Sequence, residues 1–390
     1  MKKFYNRIAE TALLPFLSVI MAFVISGLLI VFSDAAVLKV IGSPGKFIKV
    51  ASSTFMNAYI ALFQGAFFDP HLTQGHTLLQ GFYPLSETIV TATPLILAGL
   101  SVSLAFQSGL FNIGAQGQFI FGAIGASYVG FHYTFSPVVH VTLALLAGIV
   151  LASLWGGFVG LLKARTGAHE VIVTIMMNYI AGFFILWILK TKSFLRPRRI
   201  DPLAPNIKPS AELPHLLGST MRLHAGILIA LLAAVFVWWL LNKTTIGFQF
   251  RAVGANASAA KTAGISVGVT TMLTMTIAGA LAGLGGAVHV LGNQYALTSD
   301  IAGSFGFDAI TVALLGRAKP RGTVMAALLF GALRTGGRTM EANTSTPLDI
   351  VLVIQALIVL FIASPALVRF IFRIKNLQSQ GTLASKGWNG

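Results

Sequence analysis

GLFNIGAQGQFIFGAIG, Gly109 to Gly125, sets three side-chain amides, Asn112, Gln116 and Gln118, beside Gly109, Gly114 and Gly117 in an otherwise apolar stretch. In lipid, backbone and amide groups without a partner are costly, so these amides belong inside a helix bundle. Two readings follow. The amides either hydrogen-bond neighbouring helices or line a polar path through the membrane, and spacing alone leaves both open.

Working outward, the whole chain has the same character. Of 390 residues, 55% are hydrophobic and 10% are charged, with a mean hydropathy of +0.81. A soluble domain carries about 25% charged residues, so charge this sparse cannot cover a water-facing surface. A transmembrane helix needs about 20 predominantly apolar residues. Ten segments meet or approach that length: 12–33, 87–106, 111–133, 137–162, 171–190, 224–242, 266–291, 301–316, 322–340 and 349–367. The expected fold class is an all-α polytopic membrane protein with about ten transmembrane helices. Leu13 to Phe32 is longer than a signal-peptide core and reads as a retained anchor.

Charge orients the chain. Lys2, Lys3 and Arg7 at one end and Arg369, Arg373 and Lys375 at the other place both termini in the cytoplasm, which requires an even number of crossings. The extracytoplasmic segments are then about 34–86 and 191–223, and a cytoplasmic loop covers about 243–266. The stretch Lys190 to Arg222 carries seven basic residues and five prolines yet falls outside, and reads as an ordered loop, since longer loops obey the charge rule less strictly. Val50 to Phe68 reads as an interfacial helix rather than an eleventh span. The net charge of +16 is scattered over loops instead of gathered on one soluble face, which excludes nucleic acid as a partner and fits an anionic lipid surface.

Other chemistry is narrowed by absence. With no cysteine there is neither disulfide nor thiolate site. No GxxxxGK[ST] phosphate loop occurs, so any ATP and its Mg²⁺ bind another polypeptide, and no cofactor is expected on this one. Intramembrane enzymes need a constellation such as HExxH, which is absent. His289, and the pair His71 and His76, have no further ligand at metal-site spacing. Asp308 is the clearest intramembrane acid; it can line a solute path or pair with Arg334 or Arg338. Arg338 and Glu341 are spaced for a helix-surface ion pair. Glu87 and Glu170 stand where helix N-termini are expected. In the seventh segment, Gly279-xxx-Gly283 and Ala282-xxx-Gly286 read as a surface for close helix packing. After Gly254, Asn256 can cap a short helix, ASAAKTA, that stops at Gly264. Such a helix has almost no apolar face of its own, and reads either as a tight turn or as an element that docks into a partner's groove.

GLFNIGAQGQ resembles the GLFNIGAEGQ signature of bacterial ABC permeases of the branched-chain amino acid, ribose and simple-sugar type, most closely the nucleoside permeases that work with a lipoprotein. EVIVTIMMNYIA (Glu170–Ala181), RAVGANASAAKTAGISV (Arg251–Val267) and GFDAITVALLGRAKPRGTVMAALLFGAL (Gly306–Leu333) are similar to further motifs of that family. Gln116 and His169 depart from it, standing where it has Glu and Asn. The resemblance implies a single transmembrane permease domain over residues 1–390, multi-pass in a bacterial plasma (inner) membrane, with no enzymatic activity of its own. It implies a substrate path near Asn112, Gln116, Gln118, Asn178 and Asp308, and an ATPase-coupling loop comprising Arg251, Gly254, Asn256, Ala259, Ala260 and Gly264. The implied partners are ABC ATP-binding subunits, a second permease subunit (identical or homologous) and an extracytoplasmic solute-binding lipoprotein. A nucleoside is the favoured solute, with simple sugars or riboflavin as alternatives. An ion-coupled secondary transporter is the competing mechanism, disfavoured by the shortage of buried acids.

Overall fold

The computed structural model describes residues 2–73, 78–218, 220–344, 346–347 and 349–373; His76 and Lys375 lie outside these. Helix dominates. In chain order the helices longer than one turn are α1 (Lys2–Ser33), α2 (Pro44–Ala66), α3 (Tyr83–Gln107), α4 (Ala115–His132), α5 (Pro137–Thr166), α6 (Glu170–Ile188), α7 (Gly226–Lys243), α8 (Thr245–Ala255), α9 (Ala257–Thr262), α10 (Val267–His289), α11 (Phe305–Leu315), α12 (Pro320–Asn343), α13 (Asp349–Ala363) and α14 (Pro365–Ile371). Among the described residues, six helical stretches are long and apolar enough to cross a bilayer: Phe16–Ser33, Tyr83–Gln107, Pro137–Thr166, Glu170–Ile188, Gly226–Lys243 and Val267–Gln294. The four other expected segments also carry helix, as α4, α11, α12 and α13. Their apolar runs are shorter or more interrupted, and α11 is only 11 residues long.

The described residues form two compact units. One comprises Met1–Ala58 and Ser345–Gly390. In it α1 lies along α13, and Asp34 accepts from Ala36 N at 2.7 Å and from Thr54 Oγ1 at 3.1 Å. The other, Tyr59–Thr344, is built around α3. Leu95, Ile96, Leu97 and Leu100 on that helix are all inaccessible to solvent, because α10, α11 and α12 pack around it. Its sequence shows no amphipathic stripe for that reason: a helix enclosed on all sides is apolar on all sides.

Within this second unit α4, α5 and α10 pack backbone to backbone. A Cβ on Gly122 would meet the main chain of Gly283, and one on Gly286 would meet Phe119 O. A Cβ on Gly148 would stand 2.7 Å from Gly122 O. The small-residue stripe of the seventh segment thus does what its spacing predicts: without side chains at the crossing, the helices approach until main chains touch.

The charged residues near 190–222 are mostly folded back on the protein. β1 (Leu203–Asn206) pairs antiparallel with β2 (Ala296–Thr298). Arg196 Nε donates to Ala204 O at 3.1 Å, Lys208 Nζ to Thr134 Oγ1 at 2.5 Å, and Arg199 pairs with Asp201 at 3.0 Å. Arg222 bonds both Glu87 (3.3 Å) and Asn293 Oδ1 (2.5 Å). Asn293 sits in a five-residue π-turn, Val290–Gln294, that continues α10. Lys190, Lys192 and Arg198 stay exposed.

Two expectations are corrected and one is borne out. Helix α3 begins at Tyr83, so Glu87 lies a turn inside and answers Arg222 rather than the helix N-terminus. Glu170 starts α6 as expected, and Lys163 Nζ also donates to its Oε2 at 2.5 Å. Arg338 and Glu341 are both exposed and form none of the ion pairs among the described residues; an exposed pair is worth at most about 1 kcal/mol, too little to fix two long side chains.

Candidate functional site

Residues 110–114 are a non-helical segment between α3 and α4, and the amides around it divide into two groups. Asn112 and Gln118, 1% and 0% exposed, face each other. Asn112 Nδ2 donates to Gln118 Oε1 at 2.9 Å, Gln118 Nε2 donates to Asn112 Oδ1 at 3.1 Å, and Asn112 Nδ2 also reaches Ser101 Oγ on α3 at 3.1 Å. A reciprocal amide pair satisfies itself in an apolar bundle. It pins the segment to α3 and α4 and offers little to a solute.

Gln116 and Asn178 behave differently. Asn178, on α6, accepts from Gly117 N at 2.9 Å and donates to Ile113 O at 2.8 Å, so it satisfies one of the free N–H groups at the start of α4. Gln116 Nε2 donates to Gly303 O at 2.7 Å, and its Oε1 accepts from Gly306 N at 2.8 Å. Both side chains line a cavity of about 650 Å³. One wall is α6, through Ile175, Tyr179, Gly182 and Phe183; the other is the segment between β2 and α11, through Ser299, Asp300 and Gly303, with Phe307 in the first turn of α11. Sequence reasoning missed that second wall. The signal was the cluster Thr298-Ser-Asp-Ile-Ala-Gly-Ser, a turn composition that runs into the start of the span the hydropathy count sets at 301–316.

Asp308 lies one turn into α11 and does not line the cavity. Its Oδ2 pairs with Arg334 Nη2 at 3.1 Å and accepts from Ser304 Oγ at 2.9 Å. Arg334, on α12, also donates to Ser304 Oγ and stacks its guanidinium 4.8 Å from the Phe305 ring centroid. Of the two readings of Asp308, the ion pair with Arg334 is present. His289 is buried against the rings of Phe119 and Phe305 and contacts Asn293 Nδ2 at 3.4 Å, and no cluster of metal-ligating side chains occurs among the described residues.

The second site element is the loop after α7. Asn256 Oδ1 accepts from Ala259 N at 3.0 Å and opens α9; Gly264 follows at φ +84°, the left-handed stop expected of glycine. Ala259 is exposed on α9, and Ala260 is its buried residue. Arg251 lies on α8, its Nη1 buried without a hydrogen-bond partner among the described residues. Gly254 sits against Gly109, whose φ is +70°: a Cβ on Gly109 would stand 3.1 Å from Gly254 Cα. Two stretches 145 residues apart in sequence, each motif-bearing, therefore meet main chain to main chain at the entrance to the 110–114 segment.

Residues 85–363 match the family described as branched-chain amino acid transport system / permease component. The chain belongs to that family. Among its curated relatives, the guanosine ABC transporter permease protein NupP of Bacillus subtilis is 38% identical, over 87% of this chain and 92% of its own. The nucleoside ABC transporter permease protein NupB of Lactococcus lactis is 37% identical over 77% and 84%. The glucose ABC transporter permease protein TsgB13 of Haloferax volcanii is 34% identical over 72% and 76%. No solved structure matches the chain. This permease is an integral membrane protein and the membrane-spanning subunit of an ABC importer, a system that also contains an ATPase and a solute-binding protein.

Proposed function

We propose that this permease imports a nucleoside across a bacterial plasma membrane, crossing it about ten times with both termini in the cytoplasm. The observation that carries the reading is the cavity between α6 and the 299–307 segment. Its volume, about 650 Å³, falls within the range of about 300–1,000 Å³ usual for small-molecule sites. Tyr179, Phe183 and Phe307 supply ring faces for a base, and Ser299 and Asp300 supply polar groups for a base edge or sugar hydroxyls, beside Gln116 and Asn178, whose amides hold the lining in place. Relatives named for guanosine and nucleosides support it. One named for glucose makes a simple sugar the second reading.

In this scheme Gln116 and Asn178 lie on the solute path, whereas Asn112, Gln118 and Asp308 hold its walls. ATP and Mg²⁺ bind a separate ATPase, and this chain needs no cofactor. The ATPase docks on the loop at about 243–266, with Asn256 and Ala259 presenting the surface and Arg251, Gly254, Ala260 and Gly264 fixing its position. Contact between Gly254 and Gly109 supports a mechanical route from that loop to α4. A second permease subunit completes the pathway, and a solute-binding lipoprotein docks on the outer loop at Lys190, Lys192 and Arg198.

The test is binding by the purified complex of permease, ATPase and binding protein. Labelled guanosine should be taken up and be displaced by adenosine but not by glucose. Displacement by glucose alone would transfer the assignment to sugars. Ala259→Glu should lower both ATPase association and uptake; normal uptake would overturn the coupling role.

A further inference from the structure

The end of α3 far from Glu87 touches two loops at once. Gln107 is the last residue of that helix. Gly254 lies against Gln107 O and the main chain of Ser108, where no Cβ would fit, and Gln107 Nε2 donates to Ala318 O at 2.9 Å. The turn that joins α11 to α12, residues 316–319, is therefore at the same end of the bundle as the 243–266 loop, one side chain away from it.

That turn is stiff. Arg317 and Ala318 are consecutive non-glycine residues at φ +53° and +50°, the left-handed region that residues with a Cβ disfavour. Such a backbone persists only where its surroundings over-determine it. Here Arg317 N donates to Leu314 O at 2.9 Å and Ala318 N to Ala313 O at 2.8 Å, while Gly316 lies so close to the main chain of Gly322 and Thr323 that no Cβ would fit. The result is a fixed platform bearing Arg317 and Lys319, with Arg321 in the first turn of α12. All three are exposed, and none is in an ion pair among the described residues. Residues 243–266 and 316–322 hold three basic residues each and no acid.

We propose that Arg317, Lys319 and Arg321 form a second contact for the ATPase, beside α9, and that this contact receives an acidic patch on that subunit. This rests on the reading of 243–266 as the ATPase-docking loop. An anionic lipid surface would be served as well by a loose basic loop, since lipid attracts juxtamembrane charge whatever its arrangement. A turn held in strained geometry suits a partner whose acidic groups are themselves fixed, because complementary charges set register as well as attraction. The tie through Gln107 to Gly254 keeps the turn in step with α9, so one folded subunit meets both.

The experiment is retention of the ATPase by the tagged, purified transporter in an uncharged detergent as salt is raised from about 0.05 to about 0.5 M, which shortens the reach of exposed charges severalfold. Wild type is compared with Arg317→Glu/Lys319→Glu/Arg321→Glu, with Arg317→Gln/Lys319→Gln/Arg321→Gln, and with Ala259→Glu. Three exposed pairs of modest strength, reversed in sign, should weaken association about tenfold or more at low salt. Wild-type retention should fall as salt rises. The glutamine variant should be weaker and flat with salt, and the glutamate variant weakest at low salt and improved by salt. Monodispersity of the purified variants reports folding separately. Wild-type retention and salt response in both triple variants would overturn the contact. So would a transport defect confined to vesicles rich in anionic lipid, with retention in detergent unchanged. Normal association of Ala259→Glu would instead sink the docking role of 243–266, whatever the triple variants do.

Discussion

The seam where α4, α5 and α10 meet and the wall between β2 and α11 are neighbours built on opposite principles. At the seam, glycines bring main chains into contact: Gly122 on Gly283, Gly286 on Phe119. Nothing there can move without leaving a void or a clash, because dispersion contacts are lost over fractions of an ångström. The wall is held by a handful of hydrogen bonds and one ion pair, from Gln116, Ser304, Asp308 and Arg334. Such bonds can be exchanged for others at small net cost. An importer that opens alternately to two sides needs both kinds of region: a scaffold that stays fixed and a lining that can let go. The difference assigns α4, α5 and α10 to the first and residues 299–307 to the second.

Substitutions can break or sharpen that contrast. The largest expected effect is from Arg334→Leu, which leaves Asp308 charged and unpaired away from water. Breaking a fully buried pair this way costs about 3–5 kcal/mol; with side chains 21% and 15% exposed the loss falls toward the low end of that range, and the thermal midpoint of the detergent-solubilised protein should drop accordingly. Asp308→Leu added to it should restore part of the loss, since two apolar groups no longer need each other. Next is Gly286→Val at the seam, where overpacking typically costs about 1–3 kcal/mol. Folded yield should fall with no pH dependence and no rescue by solute. A variant that folds normally but transports poorly would show that the seam moves during transport. The smallest is Asn256→Ala, which removes the cap of α9 at about 1 kcal/mol. The thermal midpoint should hardly change, while ATPase association weakens measurably.

The sequence disclosed most where the physics is local. All ten expected segments carry helix, six of them, among the described residues, long and apolar enough to cross a bilayer, and the Asn256 cap with its Gly264 stop follows from residues within nine positions of each other. The close packing of α10 could be foreseen because small residues at spacing four have few other uses. What required the fold was pairing at a distance. Arg222 finds Glu87 across 135 residues, and Gln116 finds Gly303 and Gly306 across 187 and 190. No spacing rule reaches that far. The three amides of the opening motif looked equivalent in sequence, yet two are spent on each other and one faces the cavity. Hydropathy also misjudged residues 301–304, counting them into a helix when they belong to the turn that becomes the cavity wall.

The central claim, that this chain is the passive pathway of an ATP-driven importer, is tested most directly by solute accumulation in sealed vesicles containing the permease, its ATPase and its binding protein. Guanosine should accumulate against its gradient when ATP is supplied on the ATPase side, and should not accumulate when a proton or sodium gradient is imposed without nucleotide. Accumulation driven by the ion gradient alone, with the ATPase omitted, would contradict the account.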